Sequence, residues 1–144
     1  MASHVLPVAL LVLLLGCTVS AEVVSLTDAT FADKVKEKDT VWFIKFFAPW
    51  CGHCKRLAPT WEQLGAALEG EDGVEVAHVD CTTSKDTCSK ADIRSYPTLK
   101  LYYNGEEYKK YSGARDLESL KKFAIEAAAE LVKEANEGEQ SYIM

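Results

Sequence analysis

Residues 48–61 read Ala48-Pro49-Trp50-Cys51-Gly52-His53-Cys54-Lys55-Arg56-Leu57-Ala58-Pro59-Thr60-Trp61. Two cysteines three positions apart can be a redox pair, half of a zinc site, or a coincidence. Their flanks place them. Upstream, Thr40 to Phe47 (T-V-W-F-I-K-F-F) is apolar on both alternating faces apart from Lys45. A run without alternation fits a central strand covered on both sides, and Pro49 stops it. Downstream, Leu57, Trp61, Leu64 and Leu68 recur at three- and four-residue steps. That spacing predicts a helix from Cys51 to Leu68, kinked at Pro59. Cys51 therefore belongs to the first turn of a helix that follows a buried strand.

Working outward, Val23 to Leu26 is a β-branched run that suits a first strand. Asp28 or Thr30 can cap a helix through Lys36, with Phe31 and Val35 on one face. Gly70 to Gly73 is a turn, and Val74 to Val79 a third strand. Thr82 to Asp92 is polar and short, which predicts a small helix. A strand over Leu99 to Tyr103 meets Asn104-Gly105, a strong hairpin signal, so Glu107 to Tyr111 should return antiparallel. Asp116 caps a last helix through about Asn136, and 137–144 is a flexible, frayed tail. The order β-α-β-α-β-α-β-β-α gives an α/β protein, its mixed sheet covered by helices on both faces.

This is the element order of the thioredoxin fold. The segment 48–61 resembles the active-site segment of the protein disulfide isomerase family. Supporting matches run along the chain: V-V-S-L-T, H-V-D-C-T, C-S-K, Y-P-T-L, N-G and Y-S-G-A-R-D. The chain is similar to a single catalytic thioredoxin-like module of that family, as found in thioredoxin-domain proteins of the endoplasmic reticulum. A bare C-x-x-C is weak; W-C-G-H-C-K followed by Y-P-T is specific. The resemblance implies a thiol–disulfide oxidoreductase or isomerase working through Cys51-Gly52-His53-Cys54 without a cofactor.

The chemistry suits these residues. Free N–H groups and the positive end of a helix stabilise an anion, and a thiolate rather than a thiol attacks a disulfide. Cys51 is thus expected to be the exposed, acidified nucleophile. Cys54, one turn on, resolves the mixed disulfide. His53 between them should favour the Cys51 thiolate and make the disulfide more oxidising. The resemblance places Pro97 in a cis-proline loop after Tyr96, where the backbone can pair with an extended substrate; an ordinary turn proline is the alternative. Trp50 and Tyr96 would add an apolar rim, or Tyr96 would be partly buried in the core.

Lys45 departs from the family, most of whose members place a buried carboxylate there to shuttle the second cysteine's proton. A buried amine has its pKa lowered by desolvation, so Lys45 either takes a proton from Cys54, stabilises its thiolate, or snorkels to the surface without a role. Arg115 matches a family arginine that can lower the pKa of the second cysteine; its other reading is a helix-start residue pairing with Asp116 or Glu118. Related modules close a structural disulfide at the places of Cys81 and Cys88; two buried free thiols are the alternative. A zinc site would need all four cysteines to converge, and the separation of Cys81 from Cys88 does not suit it. No metal is expected.

Among the 144 residues the net charge is −6, which argues against nucleic acid. Val5 to Leu15 is apolar but too short to span a bilayer, and Val19-Ser20-Ala21 suits cleavage after Ala21. Residues 1–21 are read as a secretory signal, 22–136 as the domain. Leu14-Leu15-Gly16-Cys17 also resembles a lipid-attachment box. Removing the signal leaves four of the five cysteines, an even count for an oxidising compartment. No stable membrane insertion is expected. Expected partners are unfolded or partly folded cysteine-containing polypeptides, and glutathione or an upstream thiol oxidase; the protein should be a monomer. The endoplasmic reticulum lumen is the expected location, with secretion open because the chain ends Ser141-Tyr142-Ile143-Met144 rather than in a retrieval signal. A thioredoxin-like reductase and a redox-silent peptide-binding module are the competing functions.

Overall fold

The computed structural model describes residues 23–71 and 73–144. The signal-peptide reading of residues 1–21, with the Cys17 alternative, lies outside the described residues. Five strands form one sheet: β1 (Val24–Leu26), β2 (Val41–Phe47), β3 (Val74–Asp80), β4 (Thr98–Tyr103) and β5 (Glu106–Lys110), in the order β1-β3-β2-β4-β5. β1, β3 and β2 run parallel; β4 and β5 run antiparallel to their neighbours. The helices are α1 (Phe31–Lys34), α2 (Gly52–Ala67), α3 (Lys85–Lys90) and α4 (Leu117–Ile143). The element order is the one read from the sequence, and the mixed, doubly covered sheet is a thioredoxin fold.

β2 is central, which explains its unbroken apolar run. Val41 and Phe43 pack with Leu57, Trp61 and Leu64 of α2 and Leu120, Ala124 and Leu131 of α4. Trp42, Ile44 and Phe46 face the other way, into Leu26, Val35, Val79, Cys88 and Tyr102. Each large apolar side chain so buried stabilises the fold by roughly 1.5–3 kcal/mol. Trp61 also pins α2 to the sheet, its Nε1–H donating to the Ala77 carbonyl at 3.0 Å.

The hairpin forms at Asn104-Gly105, with Tyr103 opposite Glu106. Both turn residues have positive φ, 51° and 85°. That pair of conformations matches the right-handed twist of the flanking strands. A Cβ at Gly105 would lie 2.8 Å from the Lys36 side chain, so glycine also provides room.

The structure corrects two boundaries. α1 is a single four-residue turn and not a helix through Lys36. Neither expected cap acts as one: Thr30 Oγ1 accepts from the Thr27 N–H, and Asp28 reaches α3, accepting from the Thr87 N–H (2.8 Å) and hydroxyl (2.7 Å). At the other end, α4 begins at the expected cap, with Asp116 accepting from the Ser119 N–H at 2.9 Å. It does not stop near Asn136 but runs to Ile143. The residues beyond Asn136 are exposed, and local helix formers such as Glu and Gln suffice to extend it without packing.

Candidate active site

The site lies where β2 ends. After Phe47 the buried Ala48 starts a turn in which the Cys51 N–H donates to the Ala48 carbonyl at 3.1 Å. Cys51 is the N-cap of α2, in extended conformation, and its sulfur takes the place of a capping oxygen by accepting the Cys54 N–H at 3.2 Å. The helix thus directs an orphan donor at the nucleophile candidate. On its other side the Cys51 thiol faces the Tyr96 carbonyl at 3.5 Å. The Tyr96–Pro97 bond is cis.

The two thiols are driven apart. Hydrogen bonding from the Cys54 side chain, then from the Cys54 and His53 backbone N–H groups, and the charge of Arg115 hold the Cys51 thiol below its ordinary value, against the effect of burial. Burial, then the contact with Cys51, pushes Cys54 up. One expectation is corrected: Cys51 is not freely exposed, retaining 8% of its surface. Serving as a helix cap tucks the sulfur against the backbone.

His53 is placed differently from the expectation. Its imidazole meets Arg56 one turn along, Nδ1 to a guanidinium nitrogen at 2.8 Å. A guanidinium only donates, so Nδ1 accepts. The backbone of His53, not its ring, supports Cys51. Gly52 opens the helix with free room around it, the nearest atom to an added Cβ being Arg56 at 3.9 Å; nothing in the local packing demands glycine.

Lys45 is largely buried, with 4% of its surface exposed. Its Nζ lies 5.0 Å from the Phe47 ring centre and 6.0 Å from that of Trp61. Burial lowers its pKa, partly opposed by Glu62 and by Cys54. In return its charge is one of the influences that lower Cys54.

Arg115, in the loop before α4, lines a polar cleft with Ser95, Pro97 and Lys110. Its charge is one of the influences that lower Cys51. It forms no ion pair with Asp116 or Glu118 among the described residues. Trp50 is 69% exposed and meets the half-buried Tyr96 edge to face at 5.9 Å. Together they form an apolar lip beside Cys51.

Cys81 and Cys88 are joined as a disulfide, Cα atoms 5.6 Å apart, in the cluster on the opposite face of the sheet from α2. The four cysteines do not converge. Sequence reasoning passed over three residues: Arg56, which holds His53, and His78 and Glu62, which flank Lys45. His78 was legible in principle, because Val74, Val76 and His78 alternate onto one face of the third strand.

Known proteins share this fold. The family model described as Thioredoxin matches residues 22–126. The chain belongs to the thioredoxin family, and within it is a protein disulfide isomerase-like domain with its cysteine pair at Cys51 and Cys54. It is 56% identical to protein disulfide-isomerase 5-1 of Arabidopsis thaliana, over 81% of this chain and 80% of the relative. It is 58% identical to protein disulfide isomerase-like 5-1 of Oryza sativa subsp. japonica, over 75% and 74% of the two chains. Among solved structures, it matches the first thioredoxin domain of mouse protein disulfide-isomerase A4 with a TM-score of 0.65 and 35% identity, over 72% of this chain and 74% of that one. Relatives of high identity are thus protein disulfide isomerases.

Proposed function

We propose that the protein forms, reduces or rearranges disulfides in folding secretory polypeptides through Cys51-Gly52-His53-Cys54. The observation that carries this reading is the Cys51 sulfur capping α2, under the Cys54 N–H and beside the Tyr96 carbonyl. Cys51 attacks a substrate disulfide as thiolate, forming a mixed disulfide. Cys54 then attacks the Cys51 sulfur, the internal disulfide closes, and the substrate cysteine leaves reduced; oxidation of a substrate is the reverse. Arg115 favours the Cys51 thiolate, and Lys45 serves the proton of Cys54. His53 acts through its backbone and its link to Arg56. An extended polypeptide pairs with the backbone ahead of Pro97 and rests on Trp50 and Tyr96. The Cys81–Cys88 bridge is structural.

The reaction needs no cofactor or metal. Glutathione or a thiol oxidase resets the pair, and the domain works as a monomer without nucleic acid. Residues 1–21 are a cleaved signal, 22–136 the working domain, and the endoplasmic reticulum lumen the place of action. Its isomerase relatives support the secretory route, and among the described residues no helix is long and apolar enough to cross a membrane.

The test is trapping. Cys54→Ser should accumulate mixed disulfides with a reduced-and-scrambled substrate, seen by gel and mass spectrometry; Cys51→Ser should give none. No trapped species from Cys54→Ser, with native circular dichroism, refutes the mechanism. Equilibration with glutathione buffers then gives direction: about −180 mV marks a disulfide donor, about −270 mV a reductase.

A further inference from the structure

Arg56 folds back over the redox motif. One terminal nitrogen of its guanidinium stands 2.8 Å from His53 Nδ1, and the other would lie 3.9 Å from a Cβ placed on Gly52. Both residues between Cys51 and Cys54 are therefore met by one side chain from outside the motif. The sequence explains the choice of partner. On a helix the residues three and four places away face a side chain; for Arg56 these are Gly52, His53, Pro59 and Thr60. None is acidic, and the first turn of α2 holds no acidic residue either. The macrodipole opposes a positive charge near a helix N-terminus, and the imidazole lone pair is the acceptor that the guanidinium takes.

The contact fixes the state of the ring. A guanidinium only donates, so Nδ1 carries no proton and the ring proton is on Nε2. A second proton would have to enter at Nδ1, where Arg56 already donates, so the tethered ring is neutral. Among the described residues neither side chain makes another hydrogen bond or ion pair. Both are exposed, which keeps the energy of the contact modest.

We infer that Arg56 is a positioning residue that restrains the oxidising power of the Cys51–Cys54 pair, by committing the His53 ring to a neutral form engaged with Arg56 instead of with Cys51. The inference rests on the redox role proposed above. An imidazolium beside Cys51 would stabilise its thiolate, and stabilising the reduced form makes the disulfide the stronger oxidant. While Arg56 occupies Nδ1 that contribution is withheld. The Cys51 sulfur keeps its other support, the Cys54 N–H at 3.2 Å and the charge of Arg115, so the pair stays reactive. Without the tether the ring is free to take a second proton and turn to the sulfur.

The sign of the effect separates this role from a simpler one. If Arg56 acted on Cys51 through its charge alone, removing it would weaken the thiolate and make the pair less oxidising. Acting through His53, its removal makes the pair more oxidising. Both side chains must be present for the second effect, so the two substitutions are coupled and not additive.

The experiment equilibrates the protein with glutathione redox buffers, quenches in acid and reads the Cys51–Cys54 disulfide by mass. Arg56→Ala should shift the pair toward its reduced form by about 5-fold, a rise of about 20 mV in reduction potential for a two-electron couple. Arg56→Lys, which keeps a charged donor, should restore the wild-type value. In a His53→Gln background Arg56→Ala should not raise the potential, because no ring remains to be released. Nitrogen NMR of labelled protein should show the wild-type His53 ring protonated at Nε2 alone, and should show that pattern lost in Arg56→Ala. An unchanged or lowered potential in Arg56→Ala, an equal rise in both backgrounds, or a wild-type ring protonated at Nδ1 overturns the tether and leaves the redox reading standing. A wild-type protein that does not equilibrate with glutathione overturns the redox reading itself, and the inference with it.

Discussion

Among the described residues, each face of the sheet holds one cysteine pair and one buried lysine. Under α2 lie Cys51 and Cys54 as free thiols, with Lys45 among aromatic rings and, among the described residues, without a hydrogen bond or ion pair. On the opposite face Cys81 and Cys88 are joined, and Lys100 is fully engaged: its Nζ donates to the Ala91 carbonyl at 2.7 Å and pairs with Glu107. The residue types are the same and the environments opposite. Satisfied groups hold elements together: Lys100 ties β4 to the end of α3 and to β5, and the disulfide ties β3 to α3. Unsatisfied groups keep reactivity. A thiol that caps a helix without being bonded to a second sulfur stays available for exchange.

Exchanging the damage between faces tests the contrast most severely. Cys51→Ser should bring thiol–disulfide exchange to the uncatalysed background while the urea midpoint stays in place. Cys81→Ala with Cys88→Ala should keep exchange but lower stability by about 2.5 kcal/mol, the chain-entropy value for a loop this short. Equal losses of activity from both changes would erase the division of labour. The lysines give the next contrast. Lys100→Met strips the Ala91 carbonyl of its donor and should cost about 1–3 kcal/mol in urea unfolding. Lys45→Met removes a largely buried amine that has no ion pair among the described residues, and its stability should be unchanged or higher.

A smaller effect sharpens the structural face. Gly105→Ala forces alanine into a left-handed turn and should cost about 1 kcal/mol, loosening the hairpin that brings Glu107 to Lys100. The smallest involves Asp28, whose carboxyl is held below its ordinary value first by the Thr87 hydroxyl and then by the Thr87 N–H. A depressed carboxylate contributes stability that is present above the unfolded-state pKa and lost as pH falls through the folded one. Asp28→Asn should therefore flatten the acid limb of the stability curve and leave its alkaline side alone; an unchanged acid limb would remove Asp28 from the α3 anchor.

The chain's local chemistry was enough for much of this. Alternation, its absence in β2, the leucine and tryptophan spacing of α2, and Asn104-Gly105 each report short-range preferences, so element order could be read residue by residue. The Asp116 cap was legible for the same reason. What failed were statements about where a side chain goes after the chain has folded. Asp28 could have capped its own helix but reached α3, 59 residues away in sequence. His53 looked like a partner for Cys51, yet helical spacing puts Arg56 within its reach.

The sequence by itself determined that a helix would begin at Cys51 and that a lysine would interrupt a buried strand, because propensity and periodicity act over a few residues. Only the tertiary structure decided that Lys45 would stay largely buried, that His78 would stand opposite it in register, and that the Tyr96 carbonyl would face Cys51. Those relations depend on strand register and on which helix covers which face, and they are settled by packing the whole chain at once.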